Sequence, residues 1–417
     1  MITMRVIGII AEYNPFHKGH EYLIRQARKA VADPRAVVMS VMSGPFTQRG
    51  LPAVAPKHIR AKQALKCGCD VVIELPFEWA CAPASEFAYG AVRTLMLTGV
   101  VTDIAFGIDG GTPEMIEYLS YPSLYESDAY KSALKDALAS GMNFPAASAK
   151  AVISSASCPF DPEQLSECLR SPNCILAVEY LKAMKELGAG FKVHMIRRIG
   201  QGYSDSDYSS EEILSASAIR NCLRDSGGSV STIADAVCGK LPDASVAVLL
   251  GALSQKKFTL TDLDKYAVRA VTTPVSDPDA VRFCGDGLGG YIANVLSDLR
   301  SDDMTFDKLS SKLATKHFTM PRIYRALTMM MLGIQADQTD KEPSYVRVLG
   351  FNHNGKYCLK IIGKCCRVPV IHNQSDLLEH PELAKSMSIS CRAEDLSGSF
   401  MGIAPASAWN EPPVITK

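Results

Sequence analysis

Apolar positions recur along the chain with two periods, and the two alternate through its first half. Val6–Ala11 is a short apolar run crowded with β-branched residues, and residues 36–42 and 70–75 repeat the pattern. Each ends at a turn signal, which predicts three buried strands. Helical spacing fills the gaps, first in Glu21-Tyr22-Leu23-Ile24 with Ala27, then in 56–66 through Ile59, Ala64 and Leu65, then in 85–97. A fourth strand is expected at 103–106, before the turn 107–111. Helices follow near 130–140, 145–154 and 173–187, then a fifth strand at 191–197. A helix at 215–223 has Ser215 or Ser217 near its N-cap. Strands that alternate with helices predict an α/β domain with a parallel, doubly wound sheet over residues 1–228, closing around 225–229.

Beyond that point the pattern turns helical. Segments 245–253, 262–270, 288–299 and 321–332 predict a second domain over 229–417, mainly helical to about 335. From Ser344 the spacing alternates as in strands, at 345–350, 357–362 and 368–371. The Pro/Ser-rich end from Pro405 is expected to be poorly ordered. No internal repeat is visible. A length of 417 residues suits two or more units.

Composition narrows the setting. No apolar run approaches the roughly 18 residues of a membrane helix, and no charged leader precedes a cleavable apolar segment. Thirteen cysteines form an odd set. Neither Cys67/Cys69 nor Cys365/Cys366 has zinc-site spacing, so reduced thiols and a cytoplasmic location are expected. Forty-four basic residues balance forty-four acidic ones. A nucleic-acid partner would therefore need a local basic patch.

The candidate chemistry starts where the first strand ends. Asn14-Pro15 turns the chain out of the strand, Gly19 permits close approach to a ligand, and a helix begins at about His20. Strand, turn and helix start are the layout of a phosphate site. His17 and His20 lie three residues apart, so both imidazoles can face one way and donate N–H groups to phosphate where free helix amides already favour negative charge. Two surface histidines beside a turn would be the plain alternative, but two of eight in this array after a strand argue for the phosphate role.

The array resembles the His-x-Gly-His signature of the nucleotidyltransferase superfamily, and the longer string Glu12-Tyr13-Asn14-Pro15-Phe16-His17-Lys18-Gly19-His20 resembles the bacterial tRNA(Met) cytidine acetate ligase family. The resemblance implies a Rossmann-like nucleotidyltransferase domain, followed by a mainly helical domain with a small α/β or β tail that is expected to bind tRNA. It implies ATP contacts from Ile10, Ala11, Glu12, Tyr13, Asn14, Pro15, Phe16, His17, Lys18, Gly19, His20, Glu21, Tyr22 and Leu23, with His17 and His20 catalytic. Gly107 matches a glycine of the family's ATP site, although Ile108-Asp109 departs from the usual small-acidic pair. Asn173, after Pro172, matches a family asparagine in the ATP pocket. Arg198 and Ile199 match a nucleotide-contacting pair. The segment Ser215–Arg220 resembles the Ser/Thr-rich stretch that holds the outer phosphates; Ala218 stands where a hydroxyl is usual, which leaves Ser217. No Lys-Met-Ser-Lys-Ser-like loop is present, which counts against a class I synthetase.

Three further stretches invite a role. The loop 43–50, with Gln48 and Arg49, follows the second strand, where open α/β sheets bind ligands. Lys57 and Arg60 belong to a basic run that is either a solvated helix face or a tRNA contact. Lys316, Arg322 and Arg325 bracket Phe318 and Tyr324, as in a surface that tracks a backbone and stacks bases; the family shows a similar pattern there.

The expected activity is an ATP-dependent acetate ligase that makes N4-acetylcytidine at the wobble position of elongator tRNA(Met) through acetyl-adenylate. Its substrates would be ATP, with Mg²⁺ carried by the nucleotide, acetate and the tRNA; no metal ligands, membrane or protein partner are expected. A small-molecule adenylyltransferase acting on a mononucleotide or a pantetheine-like phosphate shares every motif up to Arg220. An RNA-binding protein with a degenerate nucleotide fold would not need His17, Gly19 and His20 intact.

Overall fold

The computed structural model describes residues 4–142, 144–154, 158–198, 214–406 and 410–417. Five strands appear where alternation with helices requires them: β1 (Val6–Ala11), β2 (Val37–Ser43), β3 (Val71–Leu75), β4 (Asp103–Ile108) and β5 (Lys192–Arg197). They are parallel, in the order β5-β4-β1-β2-β3. The two-residue side-chain period places successive residues of β1 on opposite faces. Val6 and Ile10 pack with Ala88, Leu95, Ala177 and Leu181 in one layer. Ile7 and Ile9 pack with Ile24, Ala27, Ala61 and Ala64 in the other. Both faces of β1 to β4 are covered, which is why these four read as apolar runs, while β5 at the sheet edge is only partly buried.

The expected division at residue 228 does not separate the tail. β6 (Val346–Phe351) pairs antiparallel with β3, and β7 (Val370–Ile371) and β8 (Val414–Ile415) both pair with β6. Residues that follow the helical region thus complete the first domain's sheet, and part of the expected disordered end is β8. Residues 357–362, expected as a strand, lie in helix His353–Cys365. Asn352 caps it by accepting from the Gly355 N–H at 2.9 Å, and Cys358 and Ile362, four apart, face the core.

Between β5 and β6 the described residues are mainly helical, including Ala216–Asp225, Asp243–Ser254, Leu263–Thr272, Phe306–Leu313 and Met320–Leu332; Ala384–Phe400 joins them after β7. This layer shares a core with the sheet domain, since Phe46 and Phe77 pack among Tyr266, Ile323, Ala326 and Phe400. Gly50 has φ +90° against the backbone of Tyr324 and Arg325, where a Cβ has no room. Its carbonyl accepts from Thr328 Oγ1 at 2.8 Å.

Three residues expected at a tRNA surface are instead interior. Lys57 is 2% exposed. Its Nζ donates to both Glu74 oxygens at 3.0 Å and to Glu394. Arg347 pairs with the same carboxylates at 3.4 and 3.6 Å. Arg60 is fully buried and donates to the carbonyls of Ala55, Glu12, Ser43 and Gly44, lashing the ends of β1 and β2 together. Arg325, also buried, donates to Gln48 O at 3.0 Å. Lys57 and Arg60 face inward, while Lys62 and Lys66 of the same run stay exposed, because partners from Ala384–Phe400 and from the ends of β1 and β2 are waiting there, far away in sequence.

Candidate functional site

The turn after β1 is fixed from several sides. Tyr13 has φ +46°, a left-handed conformation unusual for a side chain of its size. Its buried hydroxyl accepts from Ser40 Oγ at 3.0 Å. Asn14 Oδ1 accepts from Val54 N at 2.8 Å, and Phe16 O accepts from Ser245 Oγ at 3.0 Å.

His17 then caps helix Lys18–Val31. Its Nδ1 accepts from the Gly19 N–H at 3.0 Å, and His20 Nδ1 accepts from the His17 N–H at 3.2 Å. This is a capping box built from two imidazoles. Because each Nδ1 is an acceptor, a neutral ring carries its proton on Nε2. The rings stack with centroids 3.8 Å apart and 29° between planes. Burial, with Arg198 and Arg220 nearby, lowers the His17 pKa to about 3. Burial, His17 and Arg198 hold that of His20 well below the usual value. The site therefore presents two neutral N–H donors at a helix N-terminus.

Linkage gives this a measurable sign. Both histidines have depressed folded pKa values, so the unfolded chain binds more protons below the ordinary imidazole pKa. Their contribution to stability is complete above about pH 6.5 and is lost as pH falls towards the His17 value of about 3. Unfolding free energy measured between pH 6.5 and 4 should fall more steeply in the wild type than in His17→Asn.

The opposing wall comes from β4, β5 and helix Pro172–Leu187. Arg198 Nη1 donates to Asn173 Oδ1 at 3.0 Å, and Asn173 Nδ2 donates to Asp109 Oδ2 at 2.6 Å. Arg198 also lies 3.7 Å from Asp109. Ser171 caps the helix while donating to Asp109. The departure at Asp109 is thus the hub that orients Asn173 and Arg198; its position after Gly107 at a strand end was the signal that could have placed it in the site. Gly107 leaves the path of Arg198 open, since a Cβ there would lie 2.9 Å from Arg198 Cγ. A narrow cleft lined by Gly19, His20, Tyr22, Leu23, Gly107, Ile196 and Arg198 joins the two walls. Gly107→Ala should displace Arg198 and, where the cleft takes ATP as the resemblance implies, raise its KM about tenfold, roughly 1.4 kcal/mol, with the unfolding midpoint nearly unmoved.

Helix Ala216–Asp225 reaches the same turn. Ser215 is its N-cap and accepts from Ala218 N at 3.1 Å. Arg220 bridges from Ser217 Oγ, at 2.9 Å, to Asn14 O, at 3.1 Å. Arg220 therefore belongs with the site as much as Ser217 does. Ile199 and the expected loop 202–205 lie outside the described residues. Among the remaining basic candidates, Lys316 is exposed beside an open cleft with Met142 and Phe318. Arg322 lies over the Phe318 ring at 5.1 Å and pairs with Asp286 at 2.8 Å.

The family model of the HIGH nucleotidyl transferases matches residues 4–407. A tRNA(Met) cytidine acetate ligase of Acetivibrio thermocellus is 33% identical over 94% of each chain. One of Clostridium acetobutylicum is 36% identical over 88% of this chain and 90% of its own. The crystal structure of Thermotoga maritima TmcAL bound with alpha-thio ATP superposes with a TM-score of 0.83 at 27% identity, covering 99% of both chains. Its apo form gives 0.85 over the same share.

Proposed function

The chain belongs to the HIGH nucleotidyl transferase family and, within it, to the tRNA(Met) cytidine acetate ligases, and from that premise we propose that it acetylates N4 of the wobble cytidine of elongator tRNA(Met), using ATP and acetate. The observation that carries the reading is the stacked pair of neutral imidazoles with both Nε2–H groups free of the capping bonds. In the first step an acetate oxygen attacks the α-phosphorus, and pyrophosphate leaves. Charge grows on phosphate oxygens, where fixed N–H donors in a dry site are most effective. A neutral donor does not have to lose a proton or a counter-ion first. Asn173 and Arg198, held by Asp109, orient the nucleoside end, while Ser217 and Arg220 serve the outer phosphates. Mg²⁺ carried by the nucleotide would help to neutralise the charge on its phosphates, beside the donors from His17, His20, Ser217 and Arg220. In the second step the cytidine amine attacks the acetyl carbonyl and AMP leaves. Of the basic residues around Phe318, the exposed Lys316 and the partly exposed Arg322 are the ones left to meet tRNA phosphates.

The test is acetate-dependent ATP–pyrophosphate exchange, with and without tRNA, across a range of short carboxylates. Exchange with acetate, followed by acetylcytidine in elongator tRNA(Met), is the expected result. Absence of exchange with every carboxylate, together with AMP transfer to a mononucleotide or a pantetheine-like phosphate, would replace the ligase by an adenylyltransferase.

A further inference from the structure

A second cavity, of about 240 Å³, opens where the turn at Glu12 and Asn14, the loop after β2 and helices Ala216–Asp225 and Leu263–Thr272 converge. It shares no lining residue with the cleft at Gly107 and Arg198. Both arginine walls nevertheless bear on one group, because Arg198 and Arg220 each act electrostatically on His17. Arg220 and Ser217, the side chains that serve the outer phosphates, line one end of the cavity, so the acceptor enters there as pyrophosphate leaves; Arg220 also donates to Asn14 O at 3.1 Å. His20 lines the nucleotide cleft and Asn14 lines this cavity, so the turn that carries the histidine pair joins the two.

We propose that the cavity receives the acceptor cytosine and that Glu12 accepts the proton that leaves its N4. The inference rests on the ligase reading and deepens it. Size favours a base: the volume lies below the roughly 300–1,000 Å³ of drug-sized sites, yet is several times what a four-heavy-atom carboxylate needs. The walls suit a flat ring taken out of its stack, being formed by Leu51, Leu263 and the Phe306 ring, itself stacked on Tyr324 at 5.6 Å. Glu12 supplies the complement to an exocyclic amine, since a carboxylate accepts from cytosine N4–H. Its Oε1 is held by the Gln48 N–H at 2.8 Å, and Oε2 has no hydrogen-bond partner among the described residues. Arg49 and Arg224 are exposed where they line the cavity, as phosphate contacts on either side of an extruded nucleotide require.

The step balances without a further reagent. The N4 lone pair forms a bond to the acetyl carbonyl carbon, the carbon–oxygen bond to phosphate breaks, and AMP leaves with that electron pair. One N4 proton passes to the Glu12 carboxylate and from there to water. Accepting it matters because the amine's lone pair is delocalised into the ring, so the nitrogen becomes a competent nucleophile only as the proton departs.

The experiment separates the half-reactions in the intact protein. With ATP, acetate and hydroxylamine, acetohydroxamate reports acetyl-adenylate without needing a base in the cavity; with elongator tRNA(Met), acetylcytidine reports transfer. In Glu12→Gln the ratio of transfer to acetohydroxamate should fall about 100-fold, the lower end of general-base effects. Leu51→Trp, which fills the cavity without touching the carboxylate, should lower the same ratio and raise the KM for tRNA. Equal losses of both products in the two variants would assign the cavity to ATP and overturn the proposal, as would transfer that survives both. Failure of the wild type to make acetohydroxamate from acetate would remove the ligase reading itself, and the pocket with it.

Discussion

His17→Asn should slow adenylate formation about 10²–10³-fold while leaving the protein folded. Asparagine is among the best N-cap residues, so its side-chain oxygen can take over the bond that His17 Nδ1 accepts from Gly19 N. It offers no donor where His17 Nε2–H points. Losing one preorganised donor to developing phosphate charge costs about 10²–10³ in rate, roughly 2.7–4 kcal/mol. The folding cost should stay below about 1 kcal/mol, against about 0.5–2 kcal/mol for His17→Ala, which removes cap and donor together. Acetate-dependent pyrophosphate exchange and urea denaturation on both variants separate the two roles. Exchange in His17→Asn within a few fold of the wild type would end the catalytic assignment.

The largest expected effect on stability is at Lys57. Burial alone would raise the Glu74 pKa, but Lys57 and Arg347 overcome it and hold the carboxyl below its ordinary value. Lys57→Met removes one of four interlocked charges and leaves Glu74 and Glu394 with Arg347 alone. Breaking a buried pair from one side costs about 3–5 kcal/mol, because the remaining charge is left uncompensated. The urea midpoint should fall accordingly, and the loss should be smaller at pH values where Glu74 can protonate. A midpoint shift of under about 1 kcal/mol would mean that water reaches the cluster.

Local signals made the first half of this chain readable. β1, the turn and helix Lys18–Val31 are encoded within one stretch, and the histidine spacing carries its chemistry with it. Asn173 and Arg198 were legible through resemblance; β4 and β5 lying side by side bring Asp109 to Arg198, and Asn173 bonds to both. What escaped reading depends on distant partners. Lys57 looks like a surface cation until Glu394 is brought against it, and Arg60 looks the same until four carbonyls close around it. The 357–362 segment alternates well enough to mimic a strand, and only the cap at Asn352 shows that a helix has begun. Glu12 reads as part of the nucleotide turn, although its carboxylate lines the other cavity.

The pairing of β3 with β6 also bears on how the chain comes off the ribosome. β3 acquires its β2 partner early, but its other side waits for β6, a strand made long after it. During synthesis the nucleotide half therefore carries an open apolar edge of the kind that recruits neighbouring chains. Glu74 faces the same delay, since Arg347 and Glu394 arrive only with that late segment. Shortened products ending before Val346 are thus poor templates for studying the amino-terminal half alone, and nascent chains of that length are natural clients for chaperones.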